Sequence, residues 1–183
     1  IGEEREGILF VGGFAHPPNE DAVLWFCEEI LPFIRRQLPD APFRIVGSHV
    51  TEKVAALGQQ DGVEVLGFVS DEELHALYQK SRIVAVPLRY GAGVKGKVIE
   101  ALHEGAAVLT TSCGAEGIER AEEVMVIEDD PRKFADQAVL LYQNLPAIRE
   151  YSKNAVEYIA EHFSPDAVYR KIAEDFELHK QER

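Results

Sequence analysis

The stretch IVAVPLRYGAGVKGKVIEALHEGAAVLTTS, residues 83–112, decides the fold class. It begins with a continuous apolar run, which is typical of a strand buried on both faces of a sheet. A glycine-rich loop follows, then a segment with apolar residues at helical spacing, and then a second apolar run. A strand, a helix and a strand in this order predict two parallel strands joined by a right-handed crossover.

The same alternation extends along the rest of the chain. We predict strands at 8–13, 43–48, 63–69, 83–88, 107–112 and 124–128. The predicted fold is α/β, a Rossmann-like doubly wound parallel sheet of about six strands with helices on both faces. We expect one domain over residues 1–183, ending in a helical segment from about 131 to 183.

Local signals place the helix boundaries. Asn19 is predicted to cap the first helix, and Pro32 predicts a kink within it. The sequence SDEE at 70–73 forms a capping box, in which Ser70 and Glu73 bond each other's backbone. Asp130-Pro131 and Ser164-Pro165 each predict a further helix start, with a cap followed by a first-turn proline.

Composition and charge exclude several classes of protein. The chain has 183 residues, of which 46% are hydrophobic and 28% charged, as in ordinary globular domains. A formal net charge of −13 argues against binding to nucleic acid or to a membrane surface. The first residues are polar and acidic and give no sign of a signal peptide, so we expect a cytoplasmic protein. Cys27 and Cys113 suit packing of reduced thiols rather than a disulfide or a metal site.

A local positive patch interrupts this acidic chain. No Asp or Glu lies between Glu73 and Glu100, whereas five Lys and Arg residues do: Lys80, Arg89, Lys95 and Lys97, with Arg82. An anionic ligand near residues 89–97 explains the patch. The alternative is that acids are simply absent from a buried strand and the helix start that follows it.

The loop GAGVKG between the fourth strand and its helix has the chemistry of a phosphate site. Gly91 and Gly93 permit positive φ and a close backbone approach, and the helix start directs free N–H groups at the loop. Lys95, Lys97 and Arg89 add charge. The phosphate can belong to a dinucleotide cofactor or a sugar donor, and the loop can also bind none.

A dinucleotide site fits the pattern poorly. The G-x-G-x-x-G fingerprint normally follows the first strand of the fold, with an acid further on for the ribose. Here the motif follows the fourth strand, and the first strand ends instead in VGGFAHPPNE, residues 11–20. An NAD(P)-binding Rossmann domain is therefore kept only as an alternative.

Two acidic features each have two interpretations. Glu100 lies one helical turn after Lys97, where its carboxylate can accept hydrogen bonds from a ribose diol or form a surface ion pair with that lysine. The run EDD at 128–130 can suggest a metal site, but Asp130 before a proline is better explained as a helix cap. We predict no metal and no cofactor.

Three long segments resemble one known family. GVKGKVIEALHEGAAVLTTSCGAEGI resembles the donor-binding segment of retaining glycosyltransferases of the GT-B fold, the glycosyl transferases group 1 family. LFVGGFAHPPNEDAVLWFCEEILPFIRRQLPDAPFRIVGS resembles the opening of that family's C-terminal domain, and VEVLGFVSDEELHALYQKSRIVAVPLRYGAG resembles its middle. The resemblance covers essentially the whole chain.

The resemblance implies a site for a nucleotide-diphosphate sugar. Glu100 matches the second glutamate of the family's E-x7-E motif, which holds the donor ribose, while Gly93 and Val94 would offer backbone N–H groups to the diphosphate. The first glutamate of the motif would fall at Ala92, so recognition of the transferred sugar must differ. Glu116, in the loop after the fifth strand, is a candidate substitute.

The other loops have implied roles as well. Phe68 and Val69 would meet the nucleobase through backbone atoms, and Gly12 and Gly13 would lie under the donor at the domain cleft. The family often carries an Arg and a Lys in the first loop, where this chain has Gly13 and Asn19. The cations near the glycine loop would then supply the charge that neutralises the diphosphate.

The expected activity is that of a metal-independent, retaining hexosyltransferase in polysaccharide biosynthesis, which passes a sugar to an acceptor hydroxyl. The acceptor, a glycan, lipid or small molecule, would be held by a missing N-terminal domain. We therefore expect the isolated chain to be inactive. Contact with the inner face of the membrane would also depend on that domain. A nucleotide-binding domain that has lost catalysis remains an alternative, favoured by Ala92.

Overall fold

Six parallel strands form a single sheet in this computed structural model, which describes residues 5–164. In chain order the strands β1 to β6 are Ile8–Val11, Phe43–Val46, Val63–Gly67, Ile83–Val86, Val108–Thr110 and Met125–Ile127. Their order across the sheet is β3-β2-β1-β4-β5-β6, and every pair is parallel. The predicted doubly wound, Rossmann-like fold is confirmed.

Each strand is shorter than predicted, mainly because the predicted residues at its carboxyl end belong to the loop that follows. Gly12 and Gly13 follow β1 as loop residues, and the predicted strand end at Leu88 belongs to the loop after β4. The four residues of β4 are all buried, as the continuous apolar run predicted.

Helices cover both faces of the sheet. In chain order α1 to α8 are Pro17–Trp25, Leu31–Arg35, Glu52–Leu57, Asp71–Lys80, Gly96–His103, Ser112–Ala115, Pro131–Gln143 and Leu145–His162. Right-handed crossovers place α1, α2 and α3 on one face and α4 and α5 on the other. α7 packs on the first group through α2, whereas α8 packs against α5.

The predicted helix signals have different outcomes. The Ser70–Glu73 capping box is present, and the Asp130 side chain caps α7 by accepting from the Lys133 N–H, as predicted. The prediction for Asn19 is wrong: α1 begins earlier, at Pro17, because two prolines fix helical φ angles there. The helix start predicted at Ser164-Pro165 lies outside the described residues.

The first helix is interrupted before Pro32. Residues Phe26–Ile30 form a single π-helical turn, and α2 begins directly after it. Proline has no N–H to donate to the preceding turn and its ring crowds that turn's carbonyl, so the regular hydrogen-bond ladder cannot continue. The predicted kink therefore takes the form of a wider turn.

The core lies between the sheet and its two helix layers. Phe26 of the π turn packs against Phe43 of β2, with 4.4 Å between ring centroids, and meets Phe134 of α7 edge-on at 6.2 Å. These fully buried rings fix the helices on one face of the sheet. The loops at the carboxyl edge of the sheet are held on this rigid support.

Candidate functional site

The strand order defines where a ligand would bind. β1 lies between β2 and β4, so the chain leaves β1 toward one side of the sheet and leaves β4 toward the other. The loops after these two strands diverge and open a crevice at the carboxyl edge, which is the usual ligand site of doubly wound folds. Gly12 and Gly13 follow β1, and the glycine loop of residues 91–95 follows β4.

A cavity of about 340 Å³ occupies this crevice. Its walls come from the ends of β1, β2 and β3 and from α4 and α5. The lining residues are Val11, Gly12, Gly13, Val46, Gly47, Phe68, Val69, Asp71, Leu74, Lys97 and Glu100. Six of the residues predicted for the donor site therefore lie around one cavity, although they come from three separate segments of the chain.

Lys97 is the cation of this cavity. Its ammonium group lies 5.7 Å from the centre of the Phe10 ring and donates a hydrogen bond to the Asn19 side-chain oxygen. Burial, together with the smaller effect of the nearby Lys95, lowers the pKa of Lys97 to about 8. An ammonium group that is partly removed from water interacts strongly with an anion that reaches it.

Asn19 links Lys97 to the first glycine loop. Its side chain is only 4% exposed, and its amide nitrogen donates to the Gly13 carbonyl at 2.7 Å. A Cβ atom at Gly12 would come within 2.9 Å of the Asn19 side chain, so only glycine fits there. The contact between Asn19 and Lys97 could not be predicted from local sequence, because the two residues lie 78 positions apart in the chain.

Glu100 lines the same cavity one turn along α5. Partial burial raises its pKa above the usual value, Glu104 and Asp71 add to the rise, and His103 opposes it. No ion pair joins Glu100 to Lys97 among the described residues, so the alternative of a simple surface pair finds no support. The carboxylate can accept hydrogen bonds from a ligand.

The glycine loop is closed on itself by Lys95. Gly91 and Gly93 have φ angles of 122° and 81°, which non-glycine residues rarely adopt. The Lys95 ammonium group donates to the carbonyl oxygens of both glycines and its side chain is only 10% exposed. In this structure Lys95 shapes the loop, rather than extending into the cavity beside Lys97 as the sequence suggested.

Glu116 approaches the loop from the segment after α6. Its carboxylate accepts a hydrogen bond from the Gly93 N–H at 3.2 Å and lies 3.6 Å from the Lys95 ammonium group. The Gly93 amide, which we predicted for the diphosphate, is therefore bonded to a carboxylate here. A Cβ atom at Gly117 would meet Val94 at 2.6 Å, so the two loops are in close contact.

Arg89 is held by α1. Its guanidinium donates two hydrogen bonds to Asp21, at 2.5 and 2.9 Å, and lies over the Trp25 ring at 5.4 Å. The hydrogen bonds to Asp21 raise the pKa of Arg89. Asp21 therefore compensates the charge of Arg89, a pairing that was not predicted because the two residues lie 68 positions apart. Arg89 does not line the cavity.

The first turn of α5 completes the positive character of the crevice. Lys95 is the N-cap of this eight-residue helix, and no side chain caps its first N–H groups. A Cβ atom at Gly93 or Gly96 would meet no atom within 4 Å, so space in front of the helix start is open. Free N–H groups and the helix dipole favour an anion at this position.

Larger cavities lie elsewhere among the described residues and lack this combination of groups. One, of about 590 Å³, is lined mostly by residues of the 120–124 turn and α8, with several carboxylates. A second, of about 630 Å³, is a shallow surface beside β3 and α3. A third, of about 440 Å³, lies between Gly105 and α8. The smaller cavity at the switch in strand order is the better candidate because a cation, a carboxylate and an open helix start meet there.

The acidic residues of the EDD run at 128–130 make structural hydrogen bonds. Asp129 accepts hydrogen bonds from the backbone and the hydroxyl of Ser112, while Asp130 caps α7. No helix within residues 5–164 is both long enough and apolar enough to cross a bilayer.

Comparison with known proteins agrees with the fold. The family model described as "Glycosyl transferases group 1" matches residues 5–144. An uncharacterized 44.6 kDa protein in the cps region of Klebsiella pneumoniae is 29% identical over 172 residues, which is 90% of this chain and 44% of that protein. The chain thus spans less than half the length of this relative.

Solved structures share the architecture. TarM aligns with a TM-score of 0.76 at 17% identity over 93% of this chain and 35% of TarM, and its S. aureus G117R mutant was solved in complex with Fondaparinux, α-GlcNAc-glycerol and UDP. The C-terminal domain of LpcC from Francisella tularensis aligns with a TM-score of 0.66 at 16% identity, over 89% of this chain and 90% of that domain.

Fold and crevice define one half of a GT-B architecture. The chain belongs to the glycosyl transferases group 1 family. This assignment confirms the resemblance found in the sequence and leaves the NAD(P)-binding alternative without support.

Proposed function

We propose that this chain is the donor-binding half of a glycosyltransferase and holds a nucleotide-diphosphate sugar. The observation that carries the proposal is the meeting of Lys97 and Glu100 in one cavity at the switch in strand order. A diphosphate needs a cation and N–H donors, and a ribose diol needs an acceptor. Both requirements are met within one turn of α5.

The diphosphate would lie between the two glycine loops and the start of α5. Lys97 supplies the charge, and the uncapped N–H groups of the helix supply donors. The backbone N–H of Val94 is a further candidate donor. To use the Gly93 N–H as well, the diphosphate must displace the Glu116 carboxylate.

The nucleoside would occupy the other end of the cavity. Glu100 is placed for the ribose hydroxyls, and the segment of Phe68 and Val69 forms the wall beyond it. The Phe68 side chain is 80% exposed, so its ring is available to a ligand in addition to the backbone atoms of this segment. An aromatic ring next to a base contributes stacking.

The proposed chemistry is transfer of the sugar to an acceptor hydroxyl. Departure of the nucleoside diphosphate leaves negative charge, which a preorganised helix start and an ammonium group can stabilise. We propose that these protein groups serve in place of a metal ion, with no cofactor, and that the sugar is transferred with retention. The crystal complex of TarM with UDP supports the choice of a nucleotide donor.

We propose that a second, N-terminal domain supplies the acceptor site. Three apolar side chains remain exposed around the crevice, those of Phe68, Tyr90 and Val94. Exposed apolar side chains beside a ligand site are typical of a surface that is covered in the complete protein. The acceptor would be a glycan, a lipid or a small molecule, in the cytoplasm or at the inner face of the membrane. The cps-region relative supports a role in polysaccharide biosynthesis.

Glu116 is our candidate for the carboxylate missing at Ala92. Its carboxylate bonds the N–H of Gly93, the residue directly after Ala92, and its side chain is half exposed. Loss of the acid at 92 also supports a second candidate function, a nucleotide-binding domain without catalysis. Transfer activity of the complete protein, measured with a panel of sugar donors, separates the two.

The test of donor binding is calorimetry with UDP, GDP, ADP and CMP and their sugars. We expect one diphosphate family to bind, and Lys97→Met to weaken that binding by about tenfold or more, as for a lost hydrogen bond to a charged group. The matched control is Lys53→Met, on α3 and away from the cavity. Equal affinity of the wild type and Lys97→Met for the bound nucleotide would show that the diphosphate lies elsewhere.

A further inference from the structure

We propose that Asn19 is the positioning residue of the site, which orients the Lys97 ammonium group toward the crevice and ties it to the Gly12–Gly13 loop. The inference rests on the proposed function, since it names a residue that acts through Lys97 on the same ligand. Asn19 was expected to be a helix cap, and nothing in that role requires the contacts it makes.

The geometry of the Asn19 amide is fully specified by its partners. Its nitrogen donates to the Gly13 carbonyl at 2.7 Å, and its oxygen accepts from the Lys97 ammonium group. A carbonyl can only accept and an ammonium group can only donate, so only one orientation of the amide satisfies both. The residue is 4% exposed, and water has little access to either contact.

Lys97 needs such a partner because its surroundings otherwise disfavour its charge. Burial and, to a smaller extent, repulsion by Lys95 lower its pKa to about 8. Glu100 lines the same cavity without pairing with it. A hydrogen bond that the charged form donates to Asn19 opposes these effects and keeps the ammonium group in place.

The position also connects two walls of the cavity. Asn19 lies in the first turn of α1, on the β1 side, whereas Lys97 lies in the first turn of α5, on the β4 side. The Asn19 side chain fills the space that a Cβ atom at Gly12 would need. A single buried amide therefore fixes the spacing of the loop and the cation that would bind the diphosphate from its two sides.

Side-chain NMR on the ligand-free chain tests the link directly. The Lys97 signal, assigned by its absence in Lys97→Arg, is titrated in the wild type, Asn19→Leu and Asn19→Asp. We expect a lower midpoint in Asn19→Leu, where the acceptor is lost, and a higher one in Asn19→Asp, where a carboxylate faces the ammonium group. If both variants titrate with the wild-type midpoint, the proposal is wrong. If Asn19→Leu does not fold, the midpoint of Asn19→Asp alone tests the proposal, because aspartate is nearly equal to asparagine in volume.

A double-mutant cycle then tests the role in binding. With the nucleoside diphosphate that the wild type binds, Asn19→Leu should lose several-fold in affinity, about the value of one hydrogen bond. In the Lys97→Met background it should lose nothing more, because the residue acts through Lys97. Equal losses in the two backgrounds contradict the proposal. If the wild type binds no nucleotide, the proposed function fails while the NMR result still decides the role of Asn19.

Discussion

Lys97 occupies an environment that a lysine without a role would rarely keep. Its ammonium group lies over the Phe10 ring, and burial lowers its pKa to about 8. A strongly shifted pKa in a cleft marks a functional group more often than a structural one. Pairing with a ligand anion would offset the free-energy cost of partly removing this charge from water.

The lowered pKa of Lys97 predicts how donor binding depends on pH. Lysine is charged below its pKa and neutral above it, so the ammonium group is present at pH 7 and is lost as the pH rises through about 8. We therefore expect the affinity for the nucleoside diphosphate to fall between pH 7 and 9. In Lys97→Arg, which stays charged, the affinity should not fall over this range. Calorimetry across the pH range measures both.

Glu100 carries a separate prediction about the ribose. Its carboxylate lines the cavity and can accept hydrogen bonds from both hydroxyls of a diol. The wild type should prefer a ribonucleoside diphosphate to its 2′-deoxy form, and Glu100→Ala should lose that preference together with about tenfold in affinity. The matched control is Glu72→Ala, on the exposed face of α4. A preference that survives in Glu100→Ala places the ribose elsewhere.

At the scale of elements, the sequence predicts what local chemistry determines. Apolar runs gave all six strands, and the Ser70 and Asp130 caps are where the pattern placed them. The partners of Arg89 and Lys97 escaped prediction because they lie 68 and 78 residues away along the chain. Local spacing contains no information on such contacts, which exist only after the sheet has brought β1 and β4 together.

The glycine loop of residues 91–95 and the segment of Glu116 are in contact at the carboxyl edge of the sheet. Glu116 bonds the Gly93 N–H and faces Lys95, the groups that a diphosphate would also use. Asn19 thus accepts a hydrogen bond from the Lys97 ammonium group, whereas Glu116 accepts one from the Gly93 N–H, which a diphosphate would also use. The glycine loop is ordered before any ligand arrives, so less entropy is lost on binding.

This arrangement predicts a change that strengthens binding. Glu116→Gln removes the negative charge near the diphosphate position and weakens the hold on the Gly93 N–H. We expect the affinity for a nucleoside diphosphate to rise by about two- to tenfold, the range of one weak electrostatic interaction, while the affinity for the nucleoside stays the same. Glu122→Gln, on the neighbouring turn, is the control. Weaker diphosphate binding would mean that Glu116 supports the site instead of competing for it.

At the scale of the whole molecule, the proposed function makes the described residues one wall of a reaction site. The cavity opens at the carboxyl edge of the sheet, and the exposed Phe68 lines it. Lys97, the cation that we assign to the diphosphate, lines this cavity.

The last prediction concerns the activity of residues 1–183 alone. The chain covers 44% of its Klebsiella pneumoniae relative, and a donor held on one open wall remains in contact with water. Catalysis requires the acceptor to be placed against the sugar with the site closed, which contributes much of the rate enhancement. We expect the isolated chain to bind nucleotide weakly and to transfer no sugar, while the complete protein transfers it. Release of nucleoside diphosphate from a donor panel measures turnover of both, and turnover by the isolated chain at the rate of the complete protein would show that this half already contains the catalytic machinery.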